Sequence, residues 1–383
     1  MTNCNSSFPM IEYNYITMDK GGFPMNIAKQ AYAFRMDGQP VACIPHGHGH
    51  INSTFKIVTD TDKAYILQRI NKYVFKNPIQ VMANVQAVTE FLHKKIHDPK
   101  GALHLIPTLR NRYYHKDEDG EFWRMYDFMN GICLDTPQSD ADFYESGLAF
   151  GRFQELLADF PASTLFETIP HFHHTPDRFQ QLKKSIELDM VGRKEQAKPE
   201  ILQAMAMEEM GCRLQKMLDD HVLPLRVTHN DTKLNNVMLD SKTRKALCVL
   251  DLDTVMPGLS VHDFGDSIRF GAATAAEDEQ DASKMHLDLH LFEIYTKGFL
   301  EAAPSLTDEE VSALALGAFT MTLEVGIRFL KDYLDGDLYF RVAYENHNLI
   351  RCRTQLALAA DMLKHWDEMN QIVARISSEI RTK

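Results

Sequence analysis

Residues 228–240 read THNDTKLNNVMLD, a short run that gathers side chains able to do chemistry. Asp231 stands two residues after His229 and five before Asn236, with Leu234, Val237, Met238 and Leu239 as apolar flanks. On a helix, an acid and an amide five apart would point about 140° away from each other. A loop lets both converge on one place. Phosphoryl transfer from ATP needs such a set: one carboxylate orients the attacking hydroxyl and accepts its proton, while an amide oxygen and a second carboxylate hold Mg2+. The second acid should close a buried strand. In ALCVLDLDTVM, residues 246–256, the apolar run ends at Asp251, twenty residues after Asp231, and Asp253 follows two further on.

Taken together, His229-x-Asp231-x4-Asn236 and the strand ending in Asp251 resemble the aminoglycoside phosphotransferase and choline kinase superfamily, relatives of the protein kinases. The resemblance implies an α+β, protein-kinase-like bilobal fold, with a small β-rich N-terminal lobe and a larger, mainly helical C-terminal lobe. It implies ATP and Mg2+ as cofactors, Asp231 as the catalytic base, and Asn236 and Asp251 as metal ligands. His229 would buttress the loop by hydrogen bonding. Asp253 either reaches the metal or orients the loop. That family usually carries Gly after the His, where this chain has Asn230. A literal Asp263-Phe264-Gly265 lies thirty-two residues after Asp231, where protein kinases leave about twenty. The spacing favours Asp251 as the metal acid. HDFGDSIR is then read as a loop entering a helix, with Asp266 hydrogen-bonding back to the catalytic loop.

The small lobe should cover the phosphates. In PHGHGHINSTFKIV, residues 45–58, Gly47 and Gly49 permit close backbone approach, and Asn52, Ser53 and Thr54 offer polar groups before a strand. The strand YILQRIN should carry a cation for the phosphates, and Arg69 is the candidate in its interior. Glu90, on the next helix, is the candidate to pair with it. Adenine should meet backbone around Tyr126, Asp127 and Phe128. The alternating His46, His48 and His50 suggest zinc, but flexible glycines between them argue against it.

In this superfamily the acceptor pocket lies in the helical lobe. RFLKDYLDGDLYF, residues 328–340, is dense in polar and aromatic side chains, and Asp335-Gly336 should break the helix. With HNDTKLNNVMLD and CVLDLDTVMPGLSVHDFGDSIRFGA, it is similar to the N-acetylhexosamine 1-kinases. From the residues themselves, Arg328, Asp332 and Tyr339 are the candidates to bind sugar hydroxyls and an acetamido group; the resemblance implies that Arg328 and Tyr339 meet the sugar, N-acetylglucosamine or N-acetylgalactosamine, whose anomeric hydroxyl Asp231 would receive. The alternatives are a kinase of the same fold for homoserine, choline or an aminoglycoside, or a nucleotide-binding protein without turnover.

Several elements must position these residues. STFKIVT and KAYILQRIN read as strands, NPIQVMANVQAVTEFLHKK as an amphipathic helix, and LHLIPTL and EFWRMYDFM as further strands. Helical patterns then dominate: DADFYESGLAFGRFQELLADF, KPEILQAMAMEEMGCRLQKMLDD, RVAYENHNLIRCRTQLALAADMLKHW, and a long helix opened by a Thr307/Glu310 capping box. The pattern changes at YDFMNG, so the lobes are expected as 1–127, binding nucleotide, and 128–383, carrying catalysis and the sugar site. The 383 residues allow a sizeable core. A formal net charge of -12 disfavours a nucleic-acid partner. Six scattered cysteines fit a reduced interior, and neither a signal-peptide pattern nor a membrane span is apparent. A cytoplasmic enzyme acting on a small-molecule sugar is the expectation.

Overall fold

The computed structural model describes residues 25–47 and 51–382, so Gly49, His48 and His50 lie outside the described residues. Contacts divide the described chain into two compact units: residues up to 78 with 104–129, and 79–103 with 130 onward.

The first unit contains helix α1 (Met25–Ala31) and strands β1 (Pro40–Pro45), β2 (Ser53–Thr59), β3 (Ala64–Ile70), β4 (His115–Lys116) and β5 (Phe122–Asp127), in the sheet order β1-β2-β3-β5-β4. All pairings are antiparallel. Alternation along the strands makes two faces. Phe55, Ile57, Tyr65, Leu67, Trp123 and Met125 form one, packed with Ala31 and Phe34. The register sets Thr54, Lys56, Ile66, Gln68, Arg124 and Tyr126 on the other. LHLIPTL, expected as a strand, makes only isolated bridges. Ile106 N–H still bonds Met125 and Asp127 N–H bonds His104, but Pro107 has no N–H to continue a ladder.

The second unit begins on α2 (Pro78–Lys95) and continues through α3 (Asp140–Leu156), α4 (Thr175–Leu188), α5 (Lys198–Ala206), α6 (Glu208–Gly211) and α7 (Arg213–Asp219). Short strands β6 (Arg226–Thr228), β7 (Val237–Leu239), β8 (Ala246–Val249) and β9 (Met256–Gly258) follow, pairing β6 with β9 and β7 with β8. Six more helices complete it: α8 (Ser260–Gly271), α9 (Leu289–Ala302), α10 (Asp308–Ser312), α11 (Leu314–Leu334), α12 (His347–Lys364) and α13 (Trp366–Arg381). The single helix expected over residues 198–220 is three, broken at Met207 and Cys212. The Thr307/Glu310 capping box forms as expected, but it opens the short α10, and α11 restarts after Ala313. HDFGDSIR is not a loop entering a helix, because α8 has already begun at Ser260. No disulfide forms among the described cysteines, and no described helix is long and apolar enough to cross a membrane.

The core of this unit sits where α11 packs against α8 and α12, and where α3 packs against α9. Backbones touch at the α8–α11 crossing. A Cβ on Gly265 would lie 2.3 Å from the Gly317 carbonyl oxygen, and one on Gly317 would lie 2.3 Å from that of Val261. Backbone cannot yield as a flexible side chain does. Gly265→Ala is therefore expected to lower the unfolding free energy by about 2 kcal/mol or more. Urea denaturation checks this, and an unchanged midpoint would contradict the crossing described.

Candidate active site

β6 ends at Thr228, and the chain turns sharply through His229, Asn230 and Asp231 before a single 3-10 turn, Leu234–Asn236. Asn230 has φ 64. That left-handed conformation suits Gly, and Asn is among the residues that tolerate it. Here Asn also contributes contacts a glycine lacks: Nδ2 donates to Thr254 O at 2.9 Å, and Oδ1 accepts from Thr228 Oγ1 at 3.0 Å. The departure from the family's usual glycine thus has a local compensation.

Helix α8 grips this turn. Asp263 accepts the N–H of His229 at 2.8 Å and that of Asn230 at 2.7 Å, and Gln154 Nε2 also donates to it. Asp266 accepts the N–H of Thr232 at 3.0 Å and pairs with Arg269 at 2.9 Å. Asp266 was expected to bond back to the loop, but the stronger hold of Asp263 was not expected. Burial pushes the Asp263 carboxyl upward, against the pull of these donors.

His229 is fully buried, edge-on to Phe150 and Phe153. Its Nε2 faces Leu250 O at 2.8 Å, and its Nδ1 faces the N–H of Asp231 at 3.3 Å. The first partner only accepts and the second only donates, so a neutral ring protonated on Nε2 satisfies both. The Asp231 side chain is 25% exposed, and its Oδ1 lies 2.8 Å from Lys233 Nζ. Burial would raise its carboxyl, but the charge and hydrogen bond of Lys233 outweigh it and hold the group below its ordinary value. Asp231 is therefore an accessible, ionised acceptor.

Asn236 Nδ2 donates to Asp231 O at 2.7 Å, which leaves Oδ1 as the group this amide offers outward. Leu250 N–H bonds Asn236 O at 2.7 Å while Leu250 O meets His229, so the end of β8 is tied to both sides of the loop. Asp251 follows at once, exposed, with φ 53. Asp253 is 2% exposed. Among the described residues no three His, Cys, Asp or Glu side chains converge to form a metal cage of their own. An amide oxygen and carboxylates are nevertheless hard donors that fit Mg2+, a cation commonly held by one or two carboxylates together with substrate phosphates and water. Asn236 and Asp251 are the residues that would hold it.

A second polar cluster adjoins the loop. His173 Nε2 faces Asn230 O at 3.3 Å and its Nδ1 faces Glu324 Oε1 at 2.9 Å, while Thr175 Oγ1 donates to Glu324 Oε2 at 2.8 Å. Arg328 lies over the rings of Phe172 and Phe340, at 5.3 Å and 5.7 Å. Tyr339 is 64% exposed beside Phe340. Asp332 was expected at the substrate, but it holds the loop instead. It accepts the N–H groups of Leu338, Tyr339 and Phe340 and the Asn348 amide, which engages about four acceptor positions. Sequence reading passed over Glu324; a lone acid within the apolar TMTLEVGIRFL was the available signal. His173 lies within HFHH, residues 171–174, directly before α4.

In the first unit, Gly47 has φ 78, two residues after β1. Asn52 Oδ1 accepts Asn71 N–H, Ser53 accepts from Arg69, and Thr54 accepts from Gln68. Arg69 is exposed on the face opposite Gln68. In the second unit, Glu90 is exposed and accepts from Gln86 at 2.8 Å. Tyr126 is buried at the end of β5. The N–H groups of Asp127 and Phe128, expected to meet adenine, already bond His104 O and Ala64 O.

The model of the phosphotransferase enzyme family (APH) matches residues 42–296. The fold is similar to that of a microcompartment-associated aminopropanol kinase, with a TM-score of 0.61, 12% identity, and coverage of 90% of this chain and 98% of that one. It is also similar to amicoumacin kinase in complex with AMP-PNP, Ca2+ and Ami, with a TM-score of 0.57, 12% identity, and 87% and 92% covered. Choline kinase from Cryptosporidium parvum Iowa II gives a TM-score of 0.55 at 13% identity, with 93% and 99% covered.

Burial alone would raise the Glu324 carboxyl, but His173 and the guanidinium groups of Arg328 and Arg178 bring it down to about 2, from 4.5. A lowered folded-state value stabilises the fold above the unfolded value, and that contribution is lost as pH falls through the folded one. Wild-type stability should therefore fall between about pH 4.5 and pH 2 more steeply than that of Glu324→Gln. Urea midpoints across that range test the pair, and parallel curves would contradict it.

Proposed function

The chain belongs to the phosphotransferase enzyme family, and on that premise we propose that it transfers the γ-phosphoryl group of ATP to the anomeric hydroxyl of an N-acetylhexosamine. The observation that carries the reading is Asp231: accessible, ionised beside Lys233, and held in a turn where Asn236 donates to its backbone carbonyl. The Asp231 carboxylate accepts a hydrogen bond from the sugar hydroxyl and takes its proton as the new P–O bond forms and the bond to ADP breaks. An anomeric hydroxyl is more acidic than an ordinary alcohol, so a carboxylate of low basicity suffices. Lys233 keeps that carboxylate charged and fixed. Mg2+, held by Asn236 and Asp251, would neutralise phosphate charge. His229 acts by orienting the loop. In this reading Gly47, Asn52, Ser53 and Thr54 belong to the nucleotide side.

Support for a sugar comes from the second cluster. His173 joins Glu324 to the carbonyl of Asn230, one residue before the base, and Phe172 carries Arg328. Acceptor-side groups and base therefore share one scaffold. A cationic acceptor such as choline calls for aromatic or acidic surroundings free of competing cations. Here Arg328 already lies over the aromatic rings, and Glu324 is committed to His173 and Thr175. A neutral polyol bearing an acetamido group suits the cluster better. The presence of Asp231, Asn236 and Asp251 together argues for turnover.

Asp231→Asn should lower kcat by about a thousand-fold while leaving ATP affinity nearly unchanged. A panel of N-acetylhexosamines, hexoses, homoserine, choline and aminoglycosides, read by ADP release and by ³¹P NMR of the product, tests the acceptor. Phosphorylation of choline or an aminoglycoside without any hexosamine product would refute the sugar reading, and full activity of Asp231→Asn would refute the base.

A further inference from the structure

On the second face of the five-stranded sheet, the register lines up Thr54, Gln68 and Arg124 across β2, β3 and β5. One amide joins them. Gln68 Nε2 donates to Thr54 Oγ1 at 3.0 Å, and Gln68 Oε1 accepts from Arg124 Nε at 3.0 Å. Arg124 is 1% exposed, with its guanidinium 5.3 Å from the centroid of the Tyr126 ring. Arg69, one residue beyond Gln68, points to the other face, is exposed, and donates to Ser53 Oγ at 3.2 Å.

Resting on the phosphotransferase reading, we infer that Arg124 is the cation that receives the nucleotide phosphates, with Gln68 as its positioning residue, and that Arg69 is not. A guanidinium stays ionised when buried, and its planar fork matches two oxygens of one phosphate group. The Nε bond to Gln68 fixes the plane of that fork. β3 thus supplies a neutral amide where a cation was expected, and the charge comes from the neighbouring strand. The row begins at Thr54, near the start of β2, the strand that follows Gly47 in the sequence. Lys56, two residues along on the same face, sets its ammonium 3.7 Å from the centroid of the Phe128 ring. This face therefore presents its cations beside the two segments that the nucleotide reading assigns to phosphate and to adenine.

Calorimetric titration of the full-length protein with adenosine, ADP and ATP in Mg2+ tests the assignment. Arg124→Gln is expected to weaken ATP and ADP about ten-fold or more and adenosine by less than about two-fold. Arg124→Lys keeps the charge but loses the fork, and should fall between. Equal weakening of adenosine and ATP would mark a structural role and overturn the inference. So would unchanged ATP affinity in Arg124→Gln, or ATP affinity lost in Arg69→Gln alone. Gln68→Leu keeps the cation but removes both bonds. It guards against an Arg124 variant that does not fold: it should weaken ATP selectively, and unaltered ATP binding would overturn the inference. If the wild-type protein binds none of the three ligands, the phosphotransferase reading itself falls, and this inference with it.

Discussion

Two oxygens of one buried carboxylate determine the shape of the site. Asp263 takes the N–H groups of His229 and Asn230, while Asp266, on the same helix, takes that of Thr232. The N–H of Asp231 goes to His229 Nδ1. Four consecutive backbone donors therefore have assigned acceptors. Leaving one buried N–H unpaired costs about 1–3 kcal/mol, so alternative paths for this turn are heavily disfavoured. That excess of constraint is what lets Asn230 remain left-handed. The Gly265–Gly317 contact that seats α8 against α11 is the deeper layer of the same arrangement, because a shift of α8 would move both acids.

The electrostatics follow from this rigidity. Asp231 sits beside Lys233 and is partly open, so it remains charged without being fully desolvated. Glu324 lies in the interior and depends on His173, Thr175 and nearby guanidinium groups. His262, whose ring is 5.3 Å from His173, is pushed down to about 3 by burial and by that neighbour, and so stays neutral. Charge is therefore distributed unevenly among neighbouring groups of similar chemistry, and each departure has an identifiable partner.

Much of this was legible in the chain. The spacing of Asp231, Asn236 and Asp251, with apolar flanks, points to a loop between short strands, and the chain does run from β6 through the 229–236 turn into β7, and from β8 towards Asp251. The capping box at Thr307 was equally readable, because its two bonds are local. What escaped depends on contacts between distant segments. Asp263 lies in letters that suggest a metal motif, and only the start of α8 at Ser260 shows that it faces backbone N–H groups. Asp332 looks like a substrate ligand until the return of residues 338–340 is seen. Arg69 and Gln68 are adjacent, and strand register alone decides which face each one takes. The breaks at Met207 and Ala313 carry no Gly or Pro to announce them, whereas Gly211 stands directly before the one at Cys212.

Asp332 also separates two properties that other sites combine. Its carboxylate fastens the backbone of residues 338–340, yet Leu338 and Tyr339 project outward, 71% and 64% exposed. The peg is constant while the tips are exchangeable. Side chains at these positions can change in size or polarity without disturbing the anchor that supports them. Such a division gives mutation a place to alter the outer surface while the loop beneath keeps its path.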